Sequence, residues 1–125
     1  MRAKTIMVVD DSASIRQVMN LTLKKAGYDV IEACDGLDAI GKLDGSSQRV
    51  NLIVCDVNMP NMDGISFLKS LKEKQNHRFT PVIMLTTESQ ESKKQEGKAA
   101  GAKAWVVKPF KPEQMLEAVS KLILP

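Results

Sequence analysis

Short apolar runs alternate with stretches of helical periodicity along the whole chain. The runs are Thr5-Ile6-Met7-Val8-Val9, Leu52-Ile53-Val54-Cys55, Pro81 to Thr86 and Ala102 to Val107. Each predicts a strand, and Leu52 to Cys55, continuous, rich in β-branched residues and closed by turn signals, has the pattern of a strand buried on both faces. Tyr28 to Ala33 alternates only in part, which fits an edge strand. Between the runs, apolar residues recur every three to four positions. Ile15, Val18, Met19, Leu21 in part, Thr22 and Ala26 predict a helix from about Ala13 to Ala26, with Ser12 or Ser14 as N-cap and Gly27 as stop. Ala39, Ile40 and Leu43 mark a short helix over Leu37 to Leu43, and Ile65, Phe67, Leu68 and Leu71 mark a third. Pro112 suits a first helical turn, and Met115, Leu116, Val119, Leu122 and Ile123 give the last helix, ending at Leu124, a clear apolar face.

Ser89 to Ala100 predicts the fourth helix, and it is the odd one. It contains no large apolar residue, and Gly97 in its interior costs about 1 kcal/mol relative to Ala. A helix that offers only alanines to a core is weakly anchored, so this one is expected to be the least stable. Five strands alternating with five helices, joined by right-handed crossovers, make an α/β fold: a parallel sheet with helices on both faces. At 125 residues this is one domain, spanning residues 1–125, with no output domain expected.

In such a sheet all strand C-termini lie along one edge, where ligands and chemistry collect. Four of the predicted strands end in polar groups: Asp10-Asp11, Asp56, Thr86 and Lys108. Three carboxylates gathered there would repel one another and raise at least one pKa. A hard divalent cation relieves this, and Mg²⁺ prefers oxygen ligands. Asp11 and Asp56 are the candidate direct ligands, Asp10 a ligand directly or through water, and Asn58 a donor of its main-chain carbonyl. Lys108 offers a point charge that can hold a phosphoryl oxygen or pair with Asp56. Thr86 offers a hydroxyl donor to the same oxygens.

The remaining composition narrows the classes. Net charge is +3, but the basic residues are dispersed and aromatics are only 4%, so neither stacking platforms nor a recognition helix is present and nucleic-acid binding is not expected. No apolar run approaches a membrane span, and the start Met1-Arg2-Ala3-Lys4 lacks a signal-peptide core, so a cytoplasmic protein is expected. Cys34 and Cys55 fall in or beside predicted strands and are expected to be free and buried.

Asp10-Asp11, Asp56 followed by Met59-Pro60-Asn61-Met62-Asp63-Gly64, Thr86 and Lys108-Pro109-Phe110 together resemble the receiver domain of bacterial two-component response regulators. The resemblance covers the whole chain and is strongest to the single-domain, CheY-like chemotaxis type. It implies a flavodoxin-like sheet of order 2-1-3-4-5 and Mg²⁺-dependent phosphorylation of Asp56 by a histidine kinase. It further implies that Thr86 and Lys108 bind the acyl phosphate and that Lys108-Pro109 is a cis peptide. The family's switch aromatic on the fifth strand matches Trp105, although Tyr or Phe is usual there; an inward Trp needs more room and a partner for its N–H. Asn58 and Glu88 match positions that tune dephosphorylation. The expected partners are a histidine kinase, the flagellar motor switch and, optionally, a phosphatase. They would be met by a monomer through the face of the fourth helix, fifth strand and fifth helix, where Lys93, Lys94, Lys98, Lys103 and Trp105 stand. On this reading the protein is a phosphoacceptor that assists its own chemistry rather than an enzyme. A receiver in another phosphorelay, an aspartyl-phosphate phosphohydrolase and a flavin-binding protein are the alternatives. The hydrolase wants an acid where Asn58 stands, and flavin phosphate would be repelled by Asp10-Asp11.

Overall fold

A computed structural model describes residues 3–45, 49–87 and 91–123. In chain order the elements are β1 (Thr5–Val9), α1 (Ala13–Lys25), β2 (Asp29–Ala33), α2 (Gly36–Gly45), β3 (Leu52–Asp56), α3 (Gly64–Lys72), β4 (Val82–Thr86), α4 (Glu91–Ala100), β5 (Ala104–Val107) and α5 (Pro112–Leu122). The strands form one parallel sheet of order β2-β1-β3-β4-β5. This is the flavodoxin-like topology that the family resemblance implied.

The period-two alternation of the strands divides the core in two. Met7, Val9, Ile53, Cys55, Val82 and Met84 face α2 and α3, where Leu43, Phe67, Leu68 and Leu71 complete one cluster. Ile6, Val8, Leu52, Val54, Ile83 and Leu85 face the opposite way and pack with Met19, Leu23, Met115 and Val119 of α1 and α5. Because β1, β3 and β4 are covered on both sides, every residue in them is buried. β2, at the edge, buries only Ala33 fully.

The helix starts follow local chemistry. The Ser12 side chain accepts from the Ile15 N–H at 3.3 Å, so Ser12 rather than Ser14 caps α1. Asp63 caps α3 by accepting from the Ser66 N–H at 2.8 Å. Pro112 opens α5, where the Lys111 N–H donates to the Gln114 side chain at 2.8 Å.

Several expectations need correction. Cys34 is exposed, because it follows the last residue of an edge strand and turns outward; Cys55 is buried as expected, and both are free. Val18 and Leu21 fit the helical spacing of α1, yet they are 50% and 65% exposed. α1 rests on the sheet through a narrower stripe centred on Met19 and Leu23. β5 begins at Ala104 rather than Ala102, and Pro81 stands just before β4. α4 forms over Glu91–Ala100, and the starting residue anticipated for it, Ser89, lies outside the described residues.

Candidate functional site

Along the C-terminal edge of the sheet, β1 runs into Asp10 and β3 ends on Asp56. Alternation points both side chains toward α1 and α5, the face of Val8 and Val54. Asp10 is wholly buried and Asp56 is 6% exposed. Lys108, just after β5, lies between them: its Nζ donates to Asp10 Oδ2 at 3.0 Å and pairs with Asp56 Oδ2 at 3.3 Å. Carboxylate oxygens of Asp10, Asp11 and Asp56 come within 4.8 Å of one another, with Asp11 on the exposed side. The structure thus brings together four residues that are up to 98 positions apart in sequence.

The electrostatics follow from that geometry. Burial, then the Asp10 charge, raises the Asp56 pKa above the ordinary carboxylate value; Lys108 opposes the rise and Asp11 adds to it. Burial alone would depress the Lys108 ammonium, but the hydrogen bond and charge of Asp10, followed by those of Asp56, hold its pKa above the ordinary lysine value. Cys55, directly before Asp56, is buried and donates its Sγ–H to the Asp56 carbonyl at 3.3 Å. Burial, and then Asp56, pushes its pKa well up, so it stays a thiol. The accessible donors are therefore all hard oxygens, which fits Mg²⁺ and not a soft metal.

The loops around these acids are tied by polar contacts. The Asp10 N–H donates to the Ala33 carbonyl at 3.1 Å, and the Ser12 N–H to Asp10 Oδ1 at 2.8 Å. Asn61 adopts φ +68°, the left-handed region, and its Nδ2 donates to Asp35 Oδ2 at 2.8 Å. The Asp38 N–H bonds the other Asp35 oxygen at 2.8 Å. These bonds, the Asp38 amide first and the Asn61 side chain next, hold the Asp35 pKa below the ordinary carboxylate value. They latch the β3–α3 loop, which carries exposed Asn58, onto the β2–α2 turn. Gly64 completes the fit: a Cβ there would stand 2.2 Å from the Asp56 carbonyl oxygen, so only glycine lets α3 start against the end of β3.

Thr86 ends β4 and is 6% exposed. It shares the edge, but alternation aims its side chain toward α3 and α4, the face of Met84, whereas the acids point to the other face. Trp105 lies on that same face, one strand over, paired in register with Met84. Its indole lies against α4 at Gly97, where a Cβ would be 2.1 Å from the ring carbon Cη2. Gly97, read from sequence as a weakness of the helix, makes the room an inward tryptophan requires. The partner for its N–H is missing: Trp105 Nε1 is buried and bonds nothing among the described residues. Lys108-Pro109 is cis, as the resemblance implied. Glu88 lies outside the described residues.

Sequence reasoning missed the polar ties. Arg16 and Asn20 lie off the apolar stripe of α1, yet both reach Glu32 on β2. A basic residue six positions after an acid at a strand end was the available signal. The Asn61–Asp35 latch gave no signal, since it joins two loops that sequence cannot register against each other.

The fold is a doubly wound parallel α/β sheet whose C-terminal edge gathers three carboxylates and a bridging lysine, an arrangement of oxygen donors that could hold a hard cation. The model of the response regulator receiver domain matches residues 6–120, and the chain belongs to that family. Protein PilG of Pseudomonas aeruginosa is 38% identical over 91% of this chain and 83% of its own length. Chemotaxis protein CheY1 of Helicobacter pylori is 34% identical over 94% of this chain and 95% of its own. The chain spans only 47% of the transcriptional regulatory protein ResD of Bacillus subtilis, with 37% identity. Among solved structures, chemotaxis protein CheY4 of Vibrio cholerae superposes with a TM-score of 0.91 at 45% identity, covering 98% of this chain and all of that one. The receiver domain of sensor histidine kinase PA1611 of Pseudomonas aeruginosa, with a magnesium ion in its active-site cleft, has a TM-score of 0.86 at 26% identity, covering 97% and 98%. The chain is thus a CheY-like receiver domain with chemotaxis proteins among its relatives.

Proposed function

We propose that the protein accepts a phosphoryl group on Asp56 from a histidine kinase and, so modified, binds a chemotaxis partner, the flagellar motor switch. The single observation that carries this reading is the Lys108 ammonium shared between Asp10 and Asp56 beside Asp11. Asp10, Asp11, Asp56 and the Asn58 carbonyl are the ligands proposed for Mg²⁺. When bound, the ion supplies positive charge against the carboxylates and the phosphoryl oxygens. A carboxylate oxygen of Asp56 attacks the phosphorus of a phosphohistidine; the P–N bond breaks, its electron pair leaves on the imidazole, and an acyl phosphate forms. Lys108, already aimed at Asp56, holds a phosphoryl oxygen in the transfer, so the protein's work is positioning and electrostatics. Asp56 is consumed as acceptor rather than turning over a substrate, which makes this a switch and not a hydrolase. The magnesium-bearing cleft of the PA1611 receiver supports the metal assignment.

Thr86, whose side chain faces α3 and α4, would turn its hydroxyl to the phosphoryl oxygens once they are present, and that movement alters the layer that holds Trp105. Asn58 and Glu88 are assigned the tuning of dephosphorylation. The exposed Lys93, Lys98 and Lys103, with Lys94, would present positive charge beside Trp105 to an acidic partner segment. Incubation with phosphoramidate, with and without Mg²⁺, tests the chemistry by intact mass. Wild type should gain one phosphoryl group only with Mg²⁺, and Asp56→Asn none. Modification of Asp56→Asn, or metal-independent uptake, would overturn the reading. A motor-switch peptide retained only by the phosphorylated form supports the chemotaxis assignment, and phosphorylation without retention replaces it with another phosphorelay.

A further inference from the structure

Asp10 is the most constrained residue of the pocket, and one of its restraints comes from outside it. Arg16 Nη1 donates to the Asp10 carbonyl at 2.6 Å, a short charge-assisted bond. The guanidinium is itself held: its Nε donates to Glu32 Oε1 at 3.3 Å, while Asn20 Nδ2 donates to Glu32 Oε2 at 2.8 Å. Glu32 belongs to the edge strand β2 and Arg16 to α1, so a chain of three side chains spans from β2 through α1 to the strand-end acid. The Arg16 side chain is only 19% exposed.

The bond goes to a backbone oxygen, and that decides what it can do. The Asp10 carbonyl belongs to the peptide plane joining Asp10 to Asp11, so fixing it restrains ψ of Asp10 and φ of Asp11. The Asp10 side chain is separately fixed by the Ser12 amide and Lys108. Among the described residues the Asp11 side chain has no such tether: it is exposed, and its direction depends on the plane that Arg16 pins.

We infer that Arg16, oriented by Glu32 and Asn20, is a positioning residue for the cation site: it sets the Asp10–Asp11 peptide so that the Asp11 carboxylate faces those of Asp10 and Asp56. The inference rests on the Mg²⁺ reading given above. It makes a prediction opposite in sign to simple electrostatics. Removing a positive charge near an acidic cluster should by Coulomb's law tighten Mg²⁺ binding. Removing a positioning residue should weaken it, as loss of outer-shell partners does by about tenfold or more.

Calorimetric titration of the full chain with Mg²⁺ alone, paired with phosphoramidate uptake across Mg²⁺ concentrations, separates the two. Arg16→Ala should bind Mg²⁺ about tenfold more weakly and still reach a near wild-type uptake rate at saturating Mg²⁺. Arg16→Lys, which keeps the charge but cannot fork to Glu32 and the carbonyl together, should fall between. Glu32→Gln should shift affinity in the same direction by a smaller factor, and it remains informative if Arg16→Ala does not fold. Unchanged or tighter Mg²⁺ binding in the folded variants overturns the inference. So does a plateau rate that falls in step with affinity, which would signal general damage. If wild type itself takes up no Mg²⁺, the underlying reading fails first, and the wild-type titration tells the two failures apart.

Discussion

The two halves of the sheet's C-terminal edge are held by different means. Around Asp10 and Asp56, polar atoms on four loops are paired: Ser12, Arg16 and Lys108 on Asp10, and Asn61 and the Asp38 amide on Asp35. Toward β5 the corresponding layer is held mainly by shape. Of the α4 residues whose burial is described only Gly97 is fully buried, and that glycine meets an indole whose nitrogen has no partner among the described residues. A site that must present charge in fixed geometry is pinned by directional bonds. The α4 layer is left with little apolar anchorage, Gly97 against the indole and partly buried Ala100 against the core, and with a donor unmet among the described residues.

The largest test strikes the pinned half. Lys108→Met leaves three clustered carboxylates without their cation. Stripping one partner from a mostly buried ion pair should cost about 3 kcal/mol of stability in chelator, with part of it returned by Mg²⁺. Urea unfolding with and without Mg²⁺ measures both. The next test strikes the other half, where propensity and packing disagree in sign. Gly97→Ala would stabilise a free helix by about 1 kcal/mol. Here the methyl would meet the ring at 2.1 Å, so a net loss of about 2 kcal/mol and a displaced Trp105 are expected. A variant as stable as wild type, with unchanged tryptophan emission, would show that α4 tolerates the crowding and that the contact is loose.

Hydrogen exchange sharpens the contrast directly. Amides of α4 should open at free energies well below global unfolding, and those of α5, anchored by Met115 and Val119, should follow it. Equal protection would remove the distinction. The smallest effect concerns the loop latch. The low folded pKa of Asp35 means that its contribution to stability is present above its unfolded value and is lost as pH falls through the folded one. Asn61→Ala removes the second of the bonds that lower this pKa. Asp35 should therefore titrate higher by carboxyl NMR, and the stability gap between variant and wild type should close in acid.

What the sequence could show follows the same division. Continuous apolar runs ending at Asp10, Asp56 and Thr86 located the central strand ends, because burial on both faces leaves an unambiguous signature; the edge strand β5, with Val107 44% exposed, leaves a weaker one before Lys108. One edge then collected those residues by topology alone. The lateral ties were illegible: nothing in the sequence says that Arg16 turns back to the Asp10 carbonyl, or that Asn61 meets Asp35. Gly97 was misread for a related reason. Helix propensity is local, whereas the ring that fills its space comes from the next strand, eight positions on. Cys34 was misplaced because an edge strand covers its end less completely than a central one.

Trp105 is the chain's single tryptophan, so ultraviolet emission excited at the red edge of absorption comes from this one ring. With its nitrogen buried and unbonded among the described residues, the excited dipole has little solvent to relax it, and the unmodified protein should emit toward the blue. Any event that lifts the ring from its glycine notch would redden that light. The molecule carries its own optical gauge of the α4 layer, readable without a label and on the timescale of mixing.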